Sequence, residues 1–145
     1  MDSSGDSKPA LRDAKADVRI KLSALWVTLM LIYANVDIIG FFEPGLIEGI
    51  LEGKVWLLDI TQTWALSGLV IMTIPALMVF LCLVLPARAD RWANIIVGVV
   101  YIVVSVGSAI GESWAYMWLG AGVETVVLVG IIWYAVKWPR QGASE

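Results

Sequence analysis

Histidine is absent from the chain and Cys82 is its only cysteine. Without imidazole or a second thiol there is no histidine-based metal site, no haem ligation by histidine, no Cys–His catalysis and no intramolecular disulfide. Membrane thiol-redox chemistry is excluded on the same ground. Cys82, lying inside an apolar run, reads as a small packing residue. Lysine and arginine are missing from the hydrophobic runs, so nothing there is placed to pair with a buried acid. No catalytic residue, metal ligand set, cofactor or nucleic-acid partner is assigned.

What the chain does have is apolar length. Its 145 residues are 59% hydrophobic, with a mean hydropathy of +0.81. The apolar residues fall in four blocks, each about 20 residues or longer, enough for a helix to cross a hydrocarbon core of about 30 Å. The expectation is an all-α fold: an antiparallel bundle of four transmembrane helices with a short amphipathic segment in the first outer loop. Residues 1–18 form a polar, basic segment, residues 19–138 the membrane domain and residues 139–145 a tail. The spans are expected at about 22–42, 63–85, 92–111 and 114–136.

The net charge of −3 is divided by side. Five Lys and Arg precede the first span, Arg88 and Arg91 lie in the second connection, and Lys137 and Arg140 follow the last span. Lys54 stands alone on the opposite side, and nine against one predicts a multi-pass inner-membrane protein with both termini cytoplasmic. Tryptophans form two belts, Trp56, Trp64, Trp114 and Trp118 outside and Trp26, Trp92, Trp133 and Trp138 inside. Lys8, Arg12, Lys15 and Arg19 recur at steps of 4, 3 and 4, a basic helical stripe suited to anionic lipid headgroups. The long Asp-containing start and the want of a small-residue cleavage site argue against a removed signal peptide.

Along the chain, Ser23, Trp26, Met30, Tyr33, Asp37 and Gly40 share a stripe of the first span, with Asp37 near its outer end. Leu46, Ile47, Ile50, Leu51, Val55 and Leu58 then repeat at helical spacing and predict one amphipathic helix on the outer surface. Pro75, central in the second span, removes the bond to the Ile71 carbonyl and predicts a bend. In the third span Asn94, Gly98, Tyr101, Ser105, Ser108 and Glu112 form a small and polar seam, opposite Ile96, Val99, Val103, Val106 and Ile110. Such a seam suits helix contact, leaving the β-branched face to lipid. The fourth span carries Glu124 near its middle, on a face with Met117, Gly120, Ala121, Val127 and Leu128. A charged group at that depth costs about 2.5–3.5 kcal/mol even on the mildest insertion scales, so Glu124 should face protein or water. Tyr101, at a similar depth, is its expected hydrogen-bond partner. Glu124, Tyr101, Asp37, Ser105 and Ser108 make up the candidate intramembrane polar site.

The stretches Lys21–Trp26 (KLSALW), Glu43–Gly49 (EPGLIEG), Ile74–Pro86 (IPALMVFLCLVLP), Arg91–Gly98 (RWANIIVG) and Trp133–Arg140 (WYAVKWPR) span nearly all of the membrane-embedded chain. Through them the chain resembles a family of small bacterial four-helix membrane proteins classified only as a domain of unknown function. The resemblance implies the architecture and carries over no activity.

Three functions compete. The first choice is a non-catalytic membrane protein that binds a partner or lipid, with Glu124 a hydrogen-bonded structural group. The alternative is a small proton-coupled transport protein using Glu124, which implies a homo-oligomer. The third is an intramembrane enzyme acting on lipid or quinone, for which Glu124, Asp37 and Tyr101 offer acid–base groups with no nucleophile, metal cluster or phosphate loop beside them.

Overall fold

The computed structural model describes residues 16–55 and 58–138. Lys8, Arg12 and Lys15 of the basic stripe, Trp56 of the outer belt and Arg140 lie outside the described residues. Four helices are long and apolar enough to cross a membrane: α1 (Val18–Gly40), α3 (Gln62–Val84), α4 (Ala87–Ala109) and α5 (Ala115–Val136). A short helix α2 (Leu46–Leu51) and a two-stranded hairpin, β1 (Lys54–Val55) with β2 (Leu58–Asp59), fill the first long connection. The result is an all-α four-helix bundle. One end carries the start of α1 and the finish of α5 and is called the terminal end below; the opposite end is the far end.

Local chemistry sets the boundaries. The Asp17 carboxylate accepts the Arg19 N–H at 2.8 Å and starts α1 ahead of the apolar run. Thr61 caps α3 in the same way, accepting the Trp64 N–H at 3.1 Å. Leu85, held extended by the proline that follows, ends α3, and Pro86 opens α4. So α4 begins at Ala87 rather than near Trp92 and takes in Asp90, which sequence reasoning leaves in the turn.

The single amphipathic helix expected over residues 46–58 is cut short. It stops at Leu51 because Gly53 takes a left-handed φ of 81°, turning the chain so that Val55 pairs with Leu58 in the hairpin. The Ile60 N–H then bonds the Gly53 carbonyl at 2.7 Å and closes the loop.

α1 packs on α3 and α5, and α4 packs on α5, while α3 and α4 touch only sparsely. The core is built from Leu22, Trp26, Leu29 and Tyr33 of α1, Met78 and Cys82 of α3, Tyr101 of α4 and Leu128 and Ile131 of α5. Cys82 is a buried free thiol among them. Two glycines allow close helix approach: a Cβ on Gly98 would stand 2.8 Å from Ile132 Cγ1, and one on Gly120 would stand 2.7 Å from Val36 Cγ2. Small residues at such crossings are how membrane helices gain van der Waals contact.

α3 changes character at Pro75. Pro75, Met78 and Cys82 are buried, but every residue from Thr61 to Ile71 is exposed. The Ile71 carbonyl, which Pro75 cannot serve, accepts the Tyr101 hydroxyl instead. Tyr101 therefore clasps α3 one turn before Pro75, and ahead of that contact the far half of α3 stands exposed.

Candidate functional site

α4 presents Asp90, Asn94, Gly98, Tyr101, Ser105 and Ala109 inward and shows Ile96, Val99, Val103, Val106 and Ile110 outward. The polar seam is buried with two departures, the first being Glu112, which lies past the end of α4 and is half-buried. Ser108 is exposed, its hydroxyl turned back onto the Ser105 carbonyl at 2.9 Å. The cause lies in α3. Tyr101 meets α3 and Gly98 meets α5, and helical rotation puts Ser108 on the α3 side at a height where α3 has departed.

Glu124 is 4% exposed. Side chains on a helix lean toward its N-terminus, so Glu124 leans toward the far end, with Oε1 3.8 Å from where a Gly120 Cβ would stand. There the Ser105 hydroxyl of α4 is its polar neighbour. Ser105 Oγ also lies 3.0 Å from the Tyr33 hydroxyl of α1. The cluster thus joins Tyr33, Ser105 and Glu124 from three helices.

Tyr101 is not the partner of Glu124. α4 runs antiparallel to α5, so Tyr101 leans the opposite way, toward the terminal end, and its hydroxyl goes to Ile71. Its ring meets the Trp26 indole edge-on, centroids 6.4 Å apart. Asp37, one turn beyond Tyr33, is exposed, and its charge still reaches Glu124. Of the five candidate residues, Ser105 and Glu124 come together, Asp37 lies exposed one turn of α1 beyond Tyr33, and Tyr101 and Ser108 serve other contacts.

A second buried polar cluster occupies the terminal half, where α3 is packed. The Trp26 indole N–H donates to Asn94 Oδ1 at 2.7 Å, and the Cys82 thiol points at the same oxygen from 3.4 Å. Asn94 Nδ2 donates to Asp90 Oδ1 at 2.7 Å and to the Asp90 carbonyl at 2.9 Å. Asp90 is fully buried, and its Oδ2 has no partner among the described residues. Sequence reasoning missed Asp90 as an interior group. The available signal was its i, i+4 spacing to Asn94 just after a proline, where acids favour a helix start.

Three cations at the terminal end sit over aromatic rings. Arg19 lies 5.9 Å from the Trp138 ring, Lys21 5.4 Å from Tyr134 and Lys137 4.4 Å from Trp133. Arg19 also donates to the Leu83 carbonyl at 3.3 Å, in the last turn of α3. At the far end Tyr116 donates to Glu43 Oε2 at 3.2 Å, beside a surface pocket of about 260 Å³ lined by Glu43, Pro44, Gly45, Leu46 and Gly49. Among the described residues no group of three or more Cys, Asp or Glu is placed to hold a metal ion. The chemistry on offer is proton binding at carboxyls and cation contact at the terminal rim.

Four apolar helices of spanning length mark a membrane protein. Comparison with curated proteins gives no match, and comparison with solved structures gives none. A family model, described as a family of unknown function (DUF6326), matches residues 13–144, and the chain belongs to that family.

Proposed function

We propose that the protein is a non-catalytic, multi-pass membrane protein that binds anionic lipid around its terminal end. The supporting observation is the rim of three cations, each stacked on an aromatic ring, drawn from the start of α1 and the finish of α5. Aromatic rings of this kind favour the headgroup layer, and cations held there attract acidic lipid. The internal polar groups fit this reading, because their bonds tie helix to helix, two of them joining α1 to α4 across the bundle. The rim would face the cytoplasm of a cell whose inner membrane holds the protein. Reporter fusions at residues 50, 89, 112 and 143 test that orientation, and a periplasmic reporter active at 89 or 143 would reverse it.

Lipid binding is tested on the full chain in mixed vesicles of phosphatidylglycerol and phosphatidylcholine, by measuring the lipid retained after gentle detergent extraction. The expected result is enrichment of phosphatidylglycerol, lost in the triple variant Arg19→Gln, Lys21→Gln, Lys137→Gln. Equal retention by the variant would overturn the reading.

The second reading, proton-coupled transport through Glu124, draws on the seclusion of that carboxyl beside Ser105, with Asp37 exposed one turn of α1 beyond Tyr33. Its test is proton flux in liposomes, lost on Glu124→Gln.

A further inference from the structure

The terminal cluster contains a carboxyl that neither reading uses. Asp90 is wholly buried, with Oδ1 fixed by the Asn94 amide and Oδ2 unpartnered among the described residues. Of the donors around it, the Trp26 indole and the Cys82 thiol both point at Asn94 Oδ1, the thiol lies beside the Asp90 carboxyl as well, and Arg91, next in the chain, keeps its own buried Nε unpartnered among the described residues. α5 contributes only apolar side chains to this half of the core, Leu128, Ile131 and Ala135. Lys21 and Lys137 of the rim stand over Tyr134 and Trp133. The rim cation set closest to this cluster along α3 is Arg19, whose Nη1 rests on the Leu83 carbonyl, one residue beyond the buried Cys82.

An ionised carboxylate buried without a counter-charge costs several kcal/mol. A neutral acid has no such cost, because Oδ2 then carries the proton itself. Arg19 offers five N–H donors in a fixed fork, so the group that now serves the Leu83 carbonyl can equally serve a carboxylate.

We propose that Asp90 is a proton-binding site at the terminal end of the bundle, with Arg19 as the counter-ion that takes over when the proton leaves. In one state the proton sits on Asp90 Oδ2 and Arg19 caps the Leu83 carbonyl. In the other the Oδ2–H bond breaks, the proton passes to water at the terminal end, and Arg19 pairs with the carboxylate, leaving the last turn of α3 uncapped. Loading of Asp90 is thereby tied to the finish of α3, the helix that only the terminal half of the bundle holds. The proposal rests on neither reading above, since it invokes no lipid and does not involve Glu124.

The test uses the full chain in phosphatidylcholine nanodiscs, which removes acidic lipid from the outcome. Infrared difference spectra are collected from about pH 4 to about pH 10, a range that brackets shifted carboxyls. The Asp90 band is assigned by its loss in Asp90→Asn. Arg19→Gln is expected to move its titration midpoint to higher pH by about one unit or more, a tenfold gain in proton affinity, since an opposite charge nearby favours the ionised form. Lys54→Gln, at the opposite end of the bundle, is expected to leave the midpoint in place. If Asp90→Asn does not assemble, ¹³C-carboxyl aspartate in the otherwise native chain reads the same titration by solid-state NMR, again against Arg19→Gln. A midpoint indifferent to Arg19→Gln, or no titrating aspartate in the buried population, would overturn the proposal.

Discussion

The two buried polar clusters use the same materials and are held very differently. In the terminal half, Trp26, Cys82, Asp90 and Asn94 come from α1, α3 and α4, and all are fully buried. In the far half, Tyr33 of α1 and Ser105 of α4 share a hydrogen bond and Glu124 of α5 is buried beside them. α3 takes part in the first and not in the second. From Met72 to its finish it is a member of the bundle; from Ile71 back to Thr61 every residue is exposed, and α1, α4 and α5 enclose Glu124. One proline thus divides a four-helix half, closed around an amide network, from a three-helix half closed around a hydroxyl and an acid.

The comparison is broken most directly by removing the hub of each cluster. Asn94→Leu strands the Trp26 N–H and leaves Asp90 Oδ1 unpaired, at about 1–3 kcal/mol for each buried orphan, so a loss of about 3 kcal/mol is expected. Ser105→Ala leaves the Tyr33 hydroxyl without its partner, and about 1 kcal/mol is expected. Thermal unfolding of the purified protein in detergent, followed by helical circular dichroism, ranks the two. A larger effect at Ser105 would mean that the far half, not the terminal half, holds the bundle together.

The far half, lacking α3, should lean more heavily on the close contact of α1 with α5. Gly120→Ala places a Cβ 2.7 Å from Val36 Cγ2 and is expected to cost about 2 kcal/mol by overpacking. Gly122, two residues on, has nothing within 4 Å of its Cβ position, so Gly122→Ala is expected to be neutral or slightly stabilising. Equal effects at the two glycines would show that the helices separate freely at Val36.

Tyr101→Phe sharpens the division itself. It frees the Ile71 carbonyl at the bend, for about 1 kcal/mol of stability, while keeping the ring against Trp26. The expected signature is regional: backbone hydrogen exchange speeds up over residues 61–74 and stays unchanged around Asn94. A uniform increase through all four helices would make Tyr101 an ordinary core residue rather than a clasp.

The bundle was legible in the sequence because apolar length and the 3.6-residue period survive any packing detail. The seam of α4 and the carbonyl freed by Pro75 were legible for the same reason. Side-chain direction was not. Equal depth suggested that Tyr101 meets Glu124, but in antiparallel helices two side chains at one depth lean apart. Asp90 escaped because the turn was drawn five residues too far, to Arg91, when Leu85 and Pro86 suffice to reverse the chain. Ser108 was misplaced because its angular position is inward and only the departure of α3 leaves it uncovered. The loop helix ended early on the conformation of one glycine, which periodicity does not encode.

The smallest effect on folding is expected at Glu124, and it discriminates between functions. Glu124→Gln keeps a donor and an acceptor at the position facing Ser105, so the contact among Tyr33, Ser105 and residue 124 can be preserved. A change below about 0.5 kcal/mol is expected, whereas Glu124→Ala removes the contact and should cost about 1 kcal/mol. The amide cannot exchange a proton. Under the lipid-binding reading, Glu124→Gln therefore retains both its melting temperature and its enrichment of phosphatidylglycerol. If Glu124→Gln melts normally while a proton flux present in the parent protein disappears from liposomes, the carboxyl is working as an acid and the assignment passes to proton coupling. If Glu124→Gln instead unfolds early, the far-half cluster depends on the acid itself, and its stability is of the same kind as that of the Asp90 cluster below it.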